Sequence, residues 1–361
     1  MSMSAGITVQ ADILAEQMAA IFRGWGMAEE AIGKSVEIML EADLMGIDSH
    51  GVTMLPTYEQ LFKDGRLEMN PKVTVVKETP VMAMIDGGGS LGHYPSSIAM
   101  DLAIEKAKKV GMAAVTVRHS NHYGAAGVYA LRAARHGLIG ISTSSVWNPA
   151  IVPTRAAEPM FGTNPFAFSA PTRKNRPFLL DMATSTVAIG KLKLAWLAGK
   201  TLPEGWALTP DGKPELNAEQ AMASRLMTPL GGSGTMSSHK GYGLAAMVEI
   251  LSTMLAGATY APLRNRPEGH YDIGHFFFAL DPHAFRDDTD FEDELDAMID
   301  RLHNARPVDP AEPVLVPGDP EFDRRAKRER DGIPIAGPMV EMLAGIADRA
   351  GVPFTLGRLA A

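Results

Sequence analysis

Apolar residues recur at spacings of three and four through "ADILAEQMAAIFRGWG" and "AEEAIGKSVEIMLEADLMG", which predicts helices across residues 10–45. "DSHGVTMLPTYEQLFKDG" then predicts a turn and a short helix ending at Gly65. "PKVTVVKET" and "VMAMID" predict two strands parted at Thr79–Pro80. From Asp86 the pattern alternates. "PSSIAMDLAIEKAKKV" is an amphipathic helix with basic residues in its last turn, "MAAVTV" a β-branched strand, "AAGVYALRAARHG" a helix closed by Gly137, and "LIGIST" a strand. Such alternation argues for an α/β domain. "PFAFSAPT" and "PFLLDMA" continue the strand pattern, and residues 199–232 are loop-rich around "LPEGWALTPDGKPEL". "KGYGLAAMVEILSTMLAGA" is long and apolar, which predicts a buried helix. "GHFFFAL" predicts a strand, "DDTDFEDELDAMIDRLHNA" an exposed acidic helix, and "PVDPAEPVLVPGDP" a connector before a last helix at Pro338–Arg349.

Length and charge bound the picture. A chain of 361 residues exceeds one ordinary core, so two domains are expected. The net charge of −8 is spread along the chain, without the basic footprint that nucleic acid or an anionic membrane surface needs. Cysteine is absent, which excludes disulfides, thiolate metal sites and a cysteine nucleophile. The N-terminal stretch has acids early and no apolar leader, and no apolar run approaches the roughly 20 residues of a membrane span. A mature cytoplasmic protein is expected.

One motif invites a dinucleotide reading. "GGGSLG", Gly87–Gly92, follows a strand and precedes a helix, as a Rossmann phosphate loop does. Two features argue for a structural turn instead. The helix is expected to begin only at Pro95–Ser96, too late for its dipole to reach a pyrophosphate. Arg118 also stands where the ribose-binding acid belongs.

Other stretches carry chemistry. "GIDSHGV" puts Ser49 beside His50 in a turn, either an acid/base histidine with a hydroxyl partner or a helix cap with an incidental imidazole. "SNHYGAAG" puts His122 between a strand end and a helix start, where free N–H groups and the small residues Gly124, Ala125 and Ala126 admit an anion. A metal site lacks convergent ligands such as HExxH. "FGTNPFAF", "LLDMATS", "PLGG" and "SSHKGYGLA" repeat the form of a polar, glycine-rich knot bordering an apolar run. Each alone is ordinary turn chemistry; together they suggest one pocket for an anionic, phosphate-bearing ligand. No G-x-S-x-G elbow supports a serine hydrolase.

These knots, in this order, resemble the type-2 malate/L-lactate dehydrogenase family. The matching words are "DSHGV", "AIEKAKKVGMAAVTVRHSNHYGAAG", "FGTNPFAF", "LDMATS", "GKTLPEGWAL", "HKGYGLAAMVEIL" and "GHFFFALDPHAF". The resemblance implies a non-Rossmann, nicotinamide-binding α/β domain (residues 81–299) inserted into a mainly helical domain made from both chain ends (1–80 and 300–361). It implies a homodimer using NAD or NADP on a small carboxylic acid, with no metal. His50 becomes the proton donor and Ser49 its relay partner, while His122 matches a histidine given the acid/base role in some members. His122, Tyr123, Gly124, Ala125 and Ala126 match cofactor contacts, as do Asp181, Met182 and Ala183, His239 and Lys240, and Gly318 and Asp319. Thr163 matches a substrate contact.

Two departures bear on the substrate. Met54 replaces an arginine that grips the substrate carboxylate in many members, so either Arg118, Arg155 or Lys191 holds it or the substrate differs. Lys191 also stands where imine-reducing members carry an acid. The expected activity is therefore hydride transfer between nicotinamide and a 2-oxo or 2-hydroxy acid. The alternatives are reduction of cyclic or N-alkyl imino acids, or nucleotide binding without catalysis.

Overall fold

The computed structural model describes residues 6–264, 269–286 and 290–357. The N-terminal elements are β1 (Ile7–Val9), α1 (Ala11–Gly24), α2 (Glu29–Leu44) and α3 (Leu55–Lys63). A run of mixed elements follows: β2 (Thr74–Thr79), β3 (Met82–Asp86), α4 (His93–Val110), β4 (Met112–Ser120), α5 (Ala126–Ala134) and β5 (Ile139–Ser144). Next come β6 (Phe166–Ala170), β7 (Phe178–Met182), α6 (Ile189–Leu197), α7 (Ala218–Ser224), α8 (His239–Glu249) and β8 (Ile273–Leu280). The chain closes with α9 (Asp290–His303), α10 (Asp319–Asp331), β9 (Ile333–Ile335) and α11 (Gly337–Arg349).

Seven strands form one mixed sheet in the order β2-β3-β4-β8-β5-β6-β7, in which only β3 and β4 run parallel. That is an α/β fold, and its strand order is not the doubly wound one. Central β8 pairs with β4 and β5, which suits its near-continuous apolar run. β1 pairs antiparallel with β9, so both chain ends meet. A hydrophobic core gathers there from Leu14, Met18 and Phe22 of α1 and Leu343 and Ile346 of α11.

α2 lies between this core and the one beneath the sheet. Ile32 and Met39 face the helical core, whereas Ile38 and Ala42 face the sheet side. Ion pairs fasten its outer face: Arg135, just past the end of α5, and Arg325 of α10 both hold Glu41, and Arg132 of α5 bridges Glu37 and Asp101. The turn that leaves α2 is thereby fixed against α5.

Three expectations need correction. α4 starts at His93, directly after Gly92, rather than at Pro95–Ser96. α8, continued by a π-helical turn at Ile250–Met254, is not buried all round: Met247, Ile250, Met254 and Leu255 are 36, 58, 52 and 54% exposed. Apolarity on every face predicts burial, but a single chain covers only the face of Ala245 and Val248. In the acidic helix, Asp296 is buried and accepts the N–H groups of Arg173, Lys174 and Asn175, so that acid is a cap rather than a solvated charge. Residues 287–289 of that stretch lie outside the described residues.

Candidate active site

His50 sits in the turn after α2. The chain reverses at Gly46 (φ 74°), and Asp43 reaches forward to accept the Val52 N–H at 2.8 Å. Gly51 must be glycine, because a Cβ there would lie 1.9 Å from the Asp43 carboxylate. From α10, Arg328 grips Asp48 with both terminal nitrogens and donates to the Asp43 carbonyl. Within this frame Ser49 Oγ and His50 Nδ1 share a hydrogen bond of 2.7 Å. The Ser49–His50 pair expected from the sequence is therefore formed. Burial lowers the His50 pKa below its ordinary value and raises that of Asp43 to about 7.

His122 arrives from the sheet. β4 carries a register shift between Val117 and Ser120, with His119 at φ 47°, which swings the strand end sideways. The "GGGSLG" loop braces it: Gly87, Gly89 and Gly92 donate their N–H groups to the carbonyls of Arg118, His119 and His122 at 2.8, 2.7 and 3.0 Å. Three amides are thus occupied by the protein's own carbonyls, so the loop is not a pyrophosphate cradle, although its helix follows immediately. A Cβ on Gly92 would meet the Asn121 carbonyl at 2.2 Å, so this contact demands glycine. Behind it, His275 is buried between the hydroxyls of Ser120 and Ser144, each at 2.9 Å, and stacks on Tyr123.

The two segments meet. The rings of His50 and His122 stack with centroids 5.5 Å apart, and both residues are partly buried. Tyr58 Oη lies 2.8 Å from His122 Nδ1 and 3.5 Å from His93 Nε2. Burial pushes the His122 pKa well below its ordinary value, and the neighbouring imidazoles push the same way.

The other knots join through their backbones. Asp181 on β7 accepts the Gly127 N–H at the start of α5 (2.7 Å). The anion cradle read from "SNHYGAAG" therefore already holds the chain's own carboxylate. Burial raises Asp181 to about 6 although its side chain still reaches solvent, and one carboxylate oxygen has no partner among the described residues. Thr184 donates to the Thr163 carbonyl, Leu230 to that of Thr184, and Gly241 to that of Leu230. Those bonds bring Thr163, Met182, Ala183 and the start of α8 into one strip. Gly318 (φ 103°) packs on Leu179 beside Asp181, while the Asp319 carboxylate is engaged by His303 and the Val316 N–H.

These residues suit a dinucleotide. Lys240 is exposed at the positive end of α8 with no carboxylate partner among the described residues, a donor fit for a diphosphate beside His239. The open oxygen of Asp181 is an acceptor fit for a ribose hydroxyl.

Among the described residues, none of the side chains named for the substrate carboxylate is hydrogen-bonded to His50 or His122. Met54 packs against the helical core. Arg118 pairs with Asp86 at 3.4 Å, and Arg155 and Lys191 are exposed without a described ion pair. Tyr58, His93, His275, Asp43 and Arg328 were not singled out by sequence reasoning. A separate cavity of about 440 Å³, lined by His119, Trp147, Arg264 and Tyr271 among others, does not include either catalytic candidate.

The malate/L-lactate dehydrogenase family model matches residues 9–344. A malate dehydrogenase from Pyrococcus horikoshii is 39% identical over 348 residues, 96% of each chain. Its solved structure superposes with a TM-score of 0.87 at 37% identity over 97% of each chain. An L-sulfolactate dehydrogenase from Methanocaldococcus jannaschii is 34% identical over 92% of this chain and 94% of its own. The structure of a delta1-piperideine-2-carboxylate reductase from Pseudomonas syringae has a TM-score of 0.83 at 27% identity, covering 94% of this chain and all of that one.

Proposed function

Since the chain belongs to the malate/L-lactate dehydrogenase family of oxidoreductases, we propose that it moves a hydride between NAD or NADP and a small 2-oxo or 2-hydroxy acid, with His50 as the acid/base. The observation that carries this reading is the Ser49–His50 pair facing His122. A bound nicotinamide ring supplies or accepts the hydride. The protein's own part is the proton. When a hydroxy acid is oxidised, neutral His50 takes the hydroxyl proton at Nε2 while its Nδ1–H donates to Ser49 Oγ. In reduction the imidazolium returns that proton to the carbonyl oxygen. Burial favours the neutral ring, and an anionic substrate carboxylate beside it raises its proton affinity on binding. Asp181, His239, Lys240 and Gly318 are the residues proposed to hold the cofactor.

The likeness to a piperideine-carboxylate reductase favours one second reading, reduction of an imino acid on the same scaffold. One experiment separates the possibilities. The protein is mixed with NADH or NADPH and a panel of small 2-oxo acids, with and without methylamine, while absorbance of the reduced cofactor is followed. Oxidation without amine is expected. Oxidation only with methylamine supports the imine reading, and cofactor binding without any turnover overturns both.

A further inference from the structure

His122 has two neighbours at one ring nitrogen, and they decide which proton it carries. Gly124 N–H approaches Nδ1 at 3.4 Å, and a peptide N–H can only donate. That long contact favours a lone pair at Nδ1, because a proton there would oppose the amide hydrogen, but it is too weak to fix the tautomer alone. Tyr58 Oη, at 2.8 Å from the same nitrogen, then donates its only hydrogen to it. With that hydrogen committed, Tyr58 Oη can only accept from His93 Nε2 at 3.5 Å.

The far end of the chain gives an independent check. His93 Nδ1 is sealed from solvent without a partner among the described residues. If His93 donates through Nε2, the orphan is an acceptor. If the chain ran the other way, the orphan would be a buried N–H donor, which folded proteins rarely tolerate. Both ends therefore favour one direction: His93 to Tyr58 to His122.

The scaffold holds that direction. Tyr58 is fully buried on α3, and His93 is buried at the first position of α4. Gly124 adopts φ 80°, and a Cβ there would approach His93 Nε2 to 2.8 Å. His122 Nε2 has no partner among the described residues, yet it is not a sealed atom.

We infer that Tyr58 and His93 are positioning residues that hold His122 as its Nε2–H tautomer, so that His122 donates a hydrogen bond to the reacting oxygen and leaves proton transfer to His50. The part about the reacting oxygen rests on the dehydrogenase reading; the tautomer does not. A neutral imidazole N–H placed at a developing oxyanion stabilises charge without titrating. Low proton affinity at His122 and His93 agrees with this, since burial opposes the imidazolium at both.

The test is nitrogen NMR of the full-length protein labelled with 15N-histidine, without substrate. The His122 signals are assigned by their loss in His122→Asn. Between pH 5.5 and 8.5 His122 is expected to remain a neutral Nε2–H ring. An Nδ1–H tautomer, or an imidazolium within that range, overturns the inference whatever the enzyme's substrate. In Tyr58→Phe the tautomers are expected to mix, with kcat about tenfold lower and KM for the cofactor unchanged. A Tyr58→Phe spectrum still wholly Nε2–H, with kcat intact, overturns the role of Tyr58. Should the tautomer hold while no oxo acid oxidises reduced cofactor, the dehydrogenase reading fails and the positioning chain stands.

Discussion

The two histidine segments are built on opposite plans. The His50 turn is held by side chains, Asp43 on the Val52 amide and Arg328 on Asp48, and among the described residues the ring itself is hydrogen-bonded only to Ser49. The His122 segment is held by backbone bonds from glycines and by a buried row of Tyr58 and His93. The first plan leaves a ring nitrogen free to exchange a proton. The second fixes a hydrogen-bond direction. A site that moves a proton while steadying an oxyanion needs one of each.

The largest expected effect separates the two rings. His50→Ala should lower kcat by about 100-fold or more, the usual scale for a lost general acid or base, with cofactor affinity kept. Burial places the His50 pKa below 6.5, and the neutral ring is the base for oxidation. Wild-type kcat/KM for hydroxy-acid oxidation should therefore fall as pH drops through that pKa, and His50→Ala should lose this acid limb. His122→Ala should cost about 100-fold, as for one oxyanion donor, yet retain the limb. The roles are reversed if the limb vanishes with His122 and survives without His50.

What the sequence disclosed follows the same division. "DSHGV" and "SNHYGAAG" stood out because polar groups interrupt apolar runs at turns, and the structure brings both together. Tyr58 sits in a stretch that reads as an ordinary short helix and His93 in the turn ahead of the expected helix start, so nothing local marks their meeting across α3 and α4. Arg328 lies in "DPEFDRRAKRERD", whose lack of apolar periodicity hid the whole of α10. The seven strands of the large sheet were legible because β-branched and aromatic runs end in glycine or proline, whereas the three-residue β1 and β9 were too short to read. The exposed stripe of α8 was not, because periodicity cannot say how many faces a neighbour covers.

The contrast between side-chain and backbone bracing predicts a middle-sized effect on stability. Gly92→Ala drives a methyl into the Asn121 and His122 carbonyls, backbone atoms just past the end of β4 that have no flexible side chain to give way. It should destabilise by about 3 kcal/mol or more, beyond the usual range for overpacking. Gly51→Ala meets the Asp43 carboxylate instead, a side chain, and should cost about 1–3 kcal/mol. Adding Asp43→Ala should then recover part of the Gly51→Ala loss, whereas it should recover none for Gly92→Ala. Denaturant unfolding of the singles and doubles reads both cycles. Equal rescue of both glycine variants would dissolve the distinction.

The smallest expected effect is a slope. Desolvation lifts Asp43 to about 7, above the ordinary carboxyl value of 3.8, although the Val52 amide and Arg328 oppose it. A folded-state pKa raised in this way adds stability that is fully present below about pH 4 and is lost as pH rises through 7. Asp43→Asn keeps an acceptor for Val52 but cannot ionise. Between pH 5 and 7 the wild type should therefore lose roughly 1–2 kcal/mol of stability relative to Asp43→Asn. Comparing the two proteins at each pH cancels the titration of Asp181 and Glu249, which both retain. Parallel stability curves would mean that the Asp43 carboxylate is already charged at pH 5, stabilised by Arg328. The His50 turn would then be an ion-paired clasp at every working pH, and the softness that sets it apart from the His122 wall would lie in its side chains alone.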